Sequence, residues 1–207
     1  MRISSIFGAA VAVCVAGIAY FKLVRPSVLN WGATEEEAKR QMPGDEIVSD
    51  AALQTTRAIT VDAPPDSIWP WLVQMGPRPR AGAYTYDWIE RLLGIDIENS
   101  DRILPEYQHV DVGEFMGLND KGQGIAVREV QPERFLVLQW EPAKSTWTFG
   151  LYPEEGGRTR LVSRNRLPGS GLLFWAGMVA FMEPGSLIME RKMLLGIRRR
   201  AESLANS

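Results

Sequence analysis

Polar and apolar residues alternate from residue 57 to 63, which is the pattern of a half-buried β-strand. One side of this strand carries Ala58, Thr60 and Asp62, and the other carries Ile59, Val61 and Ala63. Pro64 and Pro65 follow directly and lead into an apolar run that contains two tryptophans. Since the N–H groups of a helix's first turn have no intrahelical partner, proline is tolerated there. The pattern therefore predicts a strand followed at once by a helix over 65–75.

The middle of the chain predicts a second helix, over 86–93, which ends at Gly94. The apolar face of this helix would consist of Trp88, Ile89, Leu92 and Leu93, and its polar face of Asp87, Glu90 and Arg91. Strands are predicted at 109–118, 123–130, 134–141, 145–153 and 158–166. Short strands joined by tight turns indicate an antiparallel meander.

A long helix over 184–204 closes the predicted domain. Apolar residues recur along it at steps of three and four or their sums, at Leu187, Leu194, Ile197, Ala201 and Leu204. This spacing places them on one face, which we expect to be buried. Residues 171–182, just before the helix, carry no charge. Twelve residues are few for a membrane span, so they predict either a buried helix or a segment at a membrane interface.

Several separated motifs are similar to one superfamily. They lie at 63–72 (A-P-P-D-S-I-W-P-W-L), at 84–90 (Y-T-Y-D-W-I-E), at 100–108 (S-D-R-I-L-P-E-Y-Q) and at 189–202 (M-E-R-K-M-L-L-G-I-R-R-R-A-E). They resemble the START-like superfamily, also called SRPBCC or polyketide cyclase/dehydrase and lipid transport, and within it a bacterial subgroup with an N-terminal membrane segment. The resemblance implies an α+β helix-grip fold, in which a curved antiparallel sheet wraps around a long C-terminal helix and encloses an apolar ligand cavity.

The N-terminal run from Ile3 to Phe21 contains no charged residue and is long enough to cross a bilayer as a helix. A cleaved signal peptide is the alternative, but the small residues around Ala10 lie in the middle of the run, too early for its cleavage site. We therefore expect an uncleaved transmembrane helix that makes the protein a single-pass membrane protein. The basic residues that follow the run favour a domain that faces the cytoplasm.

The predicted organisation has three parts: an anchor over 1–25, a tether over 26–52 and the helix-grip domain over 53–207. Within the tether, Thr34 is followed by three glutamates, which predicts a short helix with a capping box and acids in its first turn.

Composition excludes several classes of function. The single cysteine, Cys14, lies in the N-terminal run, so neither an intramolecular disulfide nor a cysteine-based metal site is expected. A net charge of −2 gives no electrostatic reason to expect nucleic acid. With one histidine, His109, and no calcium-loop spacing, the sequence predicts neither a metal site nor a cofactor.

The resemblance implies that inward-facing side chains of the sheet and the closing helix contact a hydrophobic ligand. The candidate ligand-binding residues are Trp71, Tyr84, Trp88, Trp140, Trp147, Phe149, Arg164, Met189 and Met193. Aromatic rings would form the floor of such a cavity, and methionines an adaptable wall. Arg164 belongs to a series of alternating arginines on one strand. It would bind an anionic headgroup if that face points inward, and would be an ordinary surface charge if it points outward.

Three functions are compatible with the sequence. The first is binding or carriage of a hydrophobic small molecule or lipid, with the membrane contacted by residues 3–21 and 171–182. The second is a cyclase or dehydrase acting on a polyketide-like substrate, in which Asp87, Glu106 or His109 would transfer the proton. The third is an interaction domain whose core is filled. A buried acid beside a polar pocket would favour catalysis, and a large apolar cavity with no buried ionisable pair would favour carriage.

Overall fold

The computed structural model of the chain describes residues 15, 17–92, 94–118 and 122–207. It contains one curved, six-stranded antiparallel sheet with the strand order β1-β6-β5-β4-β3-β2. The strands are β1 (Leu53–Val61), β2 (Phe115–Gly117), β3 (Gly124–Gln131), β4 (Phe135–Glu141), β5 (Thr146–Glu154) and β6 (Arg158–Leu167). Tight turns connect β3 to β6 in sequence, so the predicted antiparallel meander is confirmed.

The predicted strand over 109–118 is wrong for most of its length, because β2 forms only at its end. Gly113 has a φ of +92°, a left-handed conformation that interrupts an extended chain. The Glu114 N–H donates a hydrogen bond to the Asp111 carbonyl at 3.0 Å. Residues 111–114 therefore form a turn that delivers the chain to the edge of the sheet.

Helices flank this sheet on both faces and at its ends. They are α1 (Arg25–Leu29, after a π-helical turn at Tyr20–Val24), α2 (Glu35–Lys39), α3 (Pro65–Val73), α4 (Asp87–Leu92), α5 (Leu172–Gly177) and α6 (Glu183–Ala205). A π-helical stretch at Met178–Met182 joins α5 to α6, so that Leu172–Ala205 is one continuous helix of 34 residues. The long C-terminal helix is thus confirmed, and it begins about twelve residues earlier than predicted.

The core lies between the inner face of the sheet, α3 and the second half of α6. Alternation in β1 places Ile59 and Val61 on the inner face, where α6 packs against both β1 and α3. The buried apolar face of α6 consists of Met193, Leu194, Ile197 and Ala201. Leu194, Ile197 and Ala201 were predicted there, whereas Leu187 is only half-buried and Leu204 is exposed. Full burial of one such large apolar side chain contributes roughly 1.5–3 kcal/mol to folding.

The outer face of the sheet is also covered, which corrects the prediction of a half-buried first strand. Residues 31–49 fold back along β1 and β6 instead of extending away from them. The Ala58 N–H donates to the Trp31 carbonyl at 3.1 Å, and Gly32, with a φ of +72°, leaves no space for a Cβ beside the Ala58 carbonyl. Ala58 is therefore as buried as the residues that face the core.

Alternating arginines of β6 hold this N-terminal segment on the outer face. Arg160 forms an ion pair with Glu37 at 2.7 Å, and Arg164 forms one with Asp45 at 2.7 Å. Arg166 donates to the Val48 carbonyl at 3.0 and 2.9 Å. Glu37 also closes the predicted capping box of α2: its carboxylate accepts from the N–H of Thr34, whose hydroxyl accepts from the Glu37 N–H.

Arg164 is the most deeply buried of these arginines, with 1% of its side chain exposed. Besides Asp45, its guanidinium donates to the Thr56 hydroxyl and to the main-chain carbonyls of Glu37 and Arg40 at 2.6–3.0 Å. The Arg164 side chain points to the outer face of the sheet, away from the core. It is not a solvated surface charge, because the N-terminal segment covers it. It is a structural residue that joins two layers of the fold.

The predicted transmembrane helix over 3–21 lies mostly outside the described residues, which include only position 15 and positions 17–21 of it. The chain after it approaches the closing helix. Arg25 forms an ion pair with Glu183 at 2.7 Å, and its guanidinium lies over the ring of Trp175 at 5.8 Å. In the part of the chain that the structure describes, Leu172–Ala205 is the one helix long and apolar enough to cross a membrane.

Replacing Arg164 by leucine should destabilise the full-length protein by about 3–5 kcal/mol, because the mostly buried Asp45 would be left with the more distant Arg166, at 3.9 Å, as its charge partner. Equilibrium urea unfolding in mild detergent, followed by tryptophan fluorescence, measures the loss. Arg158→Leu on the same strand is the matched control, since Arg158 is exposed, and its effect should stay within about 0.5 kcal/mol. Equal effects of the two substitutions would show that the arginines do not hold the segment in place.

Candidate ligand-binding cavity

A cavity of about 480 Å³ lies between the inner face of the sheet, the first half of α6 and the segment around α4. This volume falls in the range of small-molecule sites. Much of its wall is apolar and includes Met75, Ile97, Met116, Leu118, Ile125, Leu138, Trp140, Trp147, Met182, Met189 and Met193. The core is therefore packed under the second half of α6 and hollow under the first half.

The register of the sheet explains why this wall is apolar and aromatic. Ile125 of β3 pairs with Trp140 of β4, and Leu138 of β4 pairs with Trp147 of β5. Directly paired residues point to the same face of a sheet, so all four side chains face the cavity. The rings of Trp140 and Trp147 stack with their centroids 6.2 Å apart and an interplanar angle of 20°. They form a flat aromatic floor.

A buried ion pair forms one polar part of the wall. Arg57 of β1, which has no exposed side-chain surface, contacts Glu190 of α6 through its Nη1. The Glu190 carboxylate also accepts from the Ser163 hydroxyl at 2.5 Å and from the Asn165 amide at 3.3 Å. The Trp147 indole N–H donates to the Ser163 hydroxyl at 2.9 Å, so the aromatic floor and the ion pair belong to one network.

Arg57 also connects the sheet to two helices. Its Nη2 donates to the Val28 carbonyl at the end of α1 and to the Ser186 hydroxyl in the first turn of α6, each at 3.1 Å. The guanidinium thus contacts β1, α1 and α6 at one point. Ser186 and Glu190 both line the cavity, which places this junction in its wall.

A second buried acid, Glu90 of α4, lines the cavity without such partners. Only 8% of its surface is exposed, and its Oε2 has no hydrogen-bond partner among the described residues. Burial raises the pKa of Glu90 above its ordinary value, and the charge of Asp87 raises it further. The Thr85 hydroxyl opposes this shift but does not reach hydrogen-bonding geometry with Oε2.

The amphipathic pattern predicted for α4 is wrong. The helix buries Glu90, whereas Trp88 is 67% exposed and Leu92 is 79% exposed. Of the supposed polar face, Glu90 lines the cavity whereas Arg91 is exposed, and Trp88 and Leu92 of the supposed apolar face point outward. Periodicity identifies the two faces of a helix but does not show which of them packs against the core.

Four of the predicted ligand-binding residues line the cavity: Trp140, Trp147, Met189 and Met193. Phe149 lies next to Trp147 on the same face of the sheet, with the two ring centroids 4.8 Å apart, and is fully buried in the core. Trp88 is largely exposed, and Arg164 lies on the opposite face of the sheet.

Trp71 and Tyr84 belong to a separate buried network. The Tyr84 hydroxyl donates to the Trp71 carbonyl at 2.9 Å and accepts from the Gln74 amide at 3.0 Å. Burial raises the pKa of Tyr84 far above its ordinary value. The Arg200 guanidinium lies 4.5 Å from the centre of the Tyr84 ring and caps this network beside a second, more polar surface pocket.

The three residues considered for proton transfer do not line the cavity. Asp87 accepts a hydrogen bond from the Asn99 N–H at 3.4 Å, and Glu106 is exposed. His109 is exposed and contacts Asp111 at 3.1 Å. Among the described residues, no group of three or more His, Cys, Asp or Glu side chains could hold a metal ion.

Arg57 and Glu190 were not predicted as site residues, although the sequence carries a signal for both, and Glu90 was expected on the polar face of its helix rather than in the cavity. Arg57 shares the inner side of its strand with Ile59 and Val61, because residues two apart point the same way. Glu190 falls between Leu187 and Leu194 on the apolar stripe of the closing helix. Opposite charges at apolar positions of two packed elements predict a buried ion pair.

No family model matches the sequence, and no curated protein matches it. Among solved structures, the chain is similar to the Aha1 dimer of Colwellia psychrerythraea, with 16% identity, a TM-score of 0.44, and coverage of 72% of this chain and 96% of that one. It is also similar to an HSP90 activator from Plasmodium falciparum, with 17% identity, a TM-score of 0.38, and coverage of 62% of this chain and 89% of that one. A third similar structure is CalU16 of Micromonospora echinospora, with 18% identity, a TM-score of 0.35, and coverage of 74% of this chain and 86% of that one. At these identities and TM-scores, the similarities do not assign the chain to a family.

Replacing Glu90 by glutamine should flatten the pH dependence of stability. The pKa of Glu90 is raised in the folded state, so the stability that its protonated form contributes is fully present below the ordinary glutamate pKa of 4.5. It is lost as the pH rises through the folded pKa, because the unfolded chain ionises more readily. Glu90→Gln should thus match the wild type in acid and be more stable than it at pH 8, in thermal unfolding of the full chain. Glu106→Gln serves as the exposed control, and parallel curves for Glu90→Gln and the wild type would contradict the prediction.

Proposed function

We propose that this chain is a membrane-associated, START-like domain that binds a hydrophobic small molecule or lipid in its cavity. The observation that carries this proposal is the apolar volume of about 480 Å³ between the sheet and the first half of α6. Small-molecule sites in proteins are typically concave, mostly apolar cavities of this size. The hollow interior argues against an interaction domain with a filled core.

Exposed apolar residues beside the cavity support a membrane location. Leu172 and Leu173 are more than 80% exposed, and Phe181 is 77% exposed. Large apolar patches on a protein surface mark contacts with membranes or partners. Met182 is half exposed and also lines the cavity, so this apolar segment and the cavity meet. Trp88 and Leu92 of α4 are also exposed, and Glu90 of the same helix lines the cavity.

The position of the N-terminal helix agrees with this arrangement. Residues 15 and 17–24 precede α1, and Val15, Ile18, Phe21 and Leu23 are exposed. Arg25 then binds Glu183 and lies over Trp175, which places the chain beside the exposed part of the closing helix. We propose that residues 3–21 cross the bilayer and that residues 172–182 enter its surface next to them.

Catalysis is the second candidate, and the buried acids are the observation that favours it. A cyclase or dehydrase needs a proton donor or acceptor in the cavity. Glu90 and Glu190 occupy such positions, whereas Asp87, Glu106 and His109 do not. Glu190 is fully engaged with Arg57, Ser163 and Asn165, which suits a structural role better than proton transfer.

The full chain in peptidiscs should bind the neutral probe N-phenyl-1-naphthylamine saturably, one molecule per chain. Because Trp140 and Trp147 form the floor of the cavity, binding is measured as energy transfer from tryptophan to the probe. Ala83→Phe, which fills the cavity from its wall, should weaken binding roughly tenfold, or about 1.4 kcal/mol. Ala205→Phe, at the exposed end of α6, is the control. Equal binding by both variants, or no saturable binding by the wild type, would contradict the cavity site.

An environment-sensitive label should report where the apolar segment lies. In a Cys14→Ser background, we expect a nitrobenzoxadiazole label at Phe181→Cys or Leu92→Cys to emit at shorter wavelength in vesicles and to be quenched by nitroxide lipids. The label at Val112→Cys, an exposed apolar position beside β2, should behave as in water. The N-terminal helix does not affect the comparison, since all three variants carry it. Water-like emission at all three positions would overturn the proposed contact.

A further inference from the structure

The orientation of α4 costs stability and calls for an explanation. The helix exposes Trp88 and Leu92 and buries Glu90 in the wall of the cavity. Burial of a large apolar side chain contributes roughly 1.5–3 kcal/mol, and burial of a polar group without a hydrogen bond is unfavourable. A contact of Trp88 and Leu92 with the bilayer would offset the first cost. It would not provide a hydrogen-bond partner for the carboxyl group of Glu90.

The two acids of the cavity differ in their partners. Both oxygens of Glu190 accept hydrogen bonds from protein groups. Glu90 Oε2 and the hydroxyl of Thr85, which also lines the cavity, have none in the part of the chain that the structure describes. Both residues are 8% exposed, so bulk water does not replace the missing partners. Buried polar groups of proteins are nearly always hydrogen-bonded, and an exception points to a partner that the chain itself does not supply.

The protonation state decides which ligand group fits. Burial and the neighbouring charge of Asp87 raise the pKa of Glu90, which favours the neutral carboxylic acid. A neutral carboxylic acid has one O–H donor, and the Thr85 hydroxyl has another. The wall around them is apolar: Met75, Ile95 and Ile97 all contribute to it. A donor in such surroundings fits an oxygen atom that accepts a hydrogen bond.

We infer that Glu90 and Thr85 form a polar recognition site within the cavity, and that the ligand is an amphiphile whose apolar body carries an acceptor oxygen of the carbonyl, ester or hydroxyl type at this position. The inference rests on the proposed function, since it requires that a ligand occupies the cavity. It restricts the ligand class: a pure hydrocarbon would leave Glu90 and Thr85 unpaired, whereas an acyl, ketone or alcohol group would pair with them. A site that hydrogen-bonds a ligand group discriminates strongly against ligands that lack this group, because its buried donor would remain unpaired.

Two fluorescent probes that differ in one carbonyl test this inference on the full chain in peptidiscs. The first, 6-propionyl-2-dimethylaminonaphthalene, shifts its emission to longer wavelength when its carbonyl accepts a hydrogen bond. The second, 2-dimethylaminonaphthalene, lacks the carbonyl. We expect Glu90→Leu to weaken binding of the first probe about three- to tenfold and to shift its bound emission to shorter wavelength. Binding of the second probe should not weaken. Glu90→Gln keeps an N–H donor and should restore most of the affinity and the emission.

The outcomes separate the inference from the proposed function. If both probes bind saturably and Glu90→Leu leaves the carbonyl probe's affinity and emission unchanged, or weakens both probes equally, the recognition site is overturned and the cavity site stands. If neither probe binds to the wild type, the proposed function fails together with the inference. Thr85→Val, a variant of nearly equal volume that lacks the hydroxyl, tests the same site without changing Glu90. It should also weaken the carbonyl probe alone.

Discussion

The ion pair between Arg57 and Glu190 is the interaction on which the arrangement of this protein depends. It lies between β1 and the closing helix and is almost completely withdrawn from solvent. Removing one partner of such a pair costs about 3–5 kcal/mol, because the other remains as a buried charge. Ser163, Asn165 and Ser186 supply further hydrogen bonds, and Val28 joins α1 to the same guanidinium. The first half of α6 is thus fixed to the sheet by a polar contact, and the cavity lies beside that contact.

The arginines of β6 have a comparable role on the outer face. They hold residues 31–49 against the sheet, so the segment that was expected to be a tether is a packed layer of the fold. As a result, β1 is covered on both sides. The contacts of Arg25 with Glu183 and of Arg57 with Val28 then fix the position of α1 on the domain. In the function that we propose, a domain fixed in this way would present one surface to the membrane, namely the surface with the exposed apolar residues next to the cavity.

The sequence predicted the regular elements well because their patterns are local. Alternation located β1 and the turn residues between strands located β3 to β6, each to within a few residues, and Pro65 marked the start of α3. Long-range contacts were beyond local patterns. No periodicity shows that Arg164 meets Asp45 across the outer face, or that α4 turns Glu90 inward and Trp88 outward. The membrane segment over 3–21 remains a prediction, and the resemblance to START-like proteins pointed to a cavity without indicating its polar groups.

Native mass spectrometry of the full chain, extracted from the membranes of its own cells and kept in peptidiscs, tests the central claim most directly. The account predicts one bound small molecule per chain, which is released on activation and has an apolar body and at least one oxygen atom. A chain that carries no such molecule, and acquires none after incubation with a lipid extract of the same cells, would contradict it.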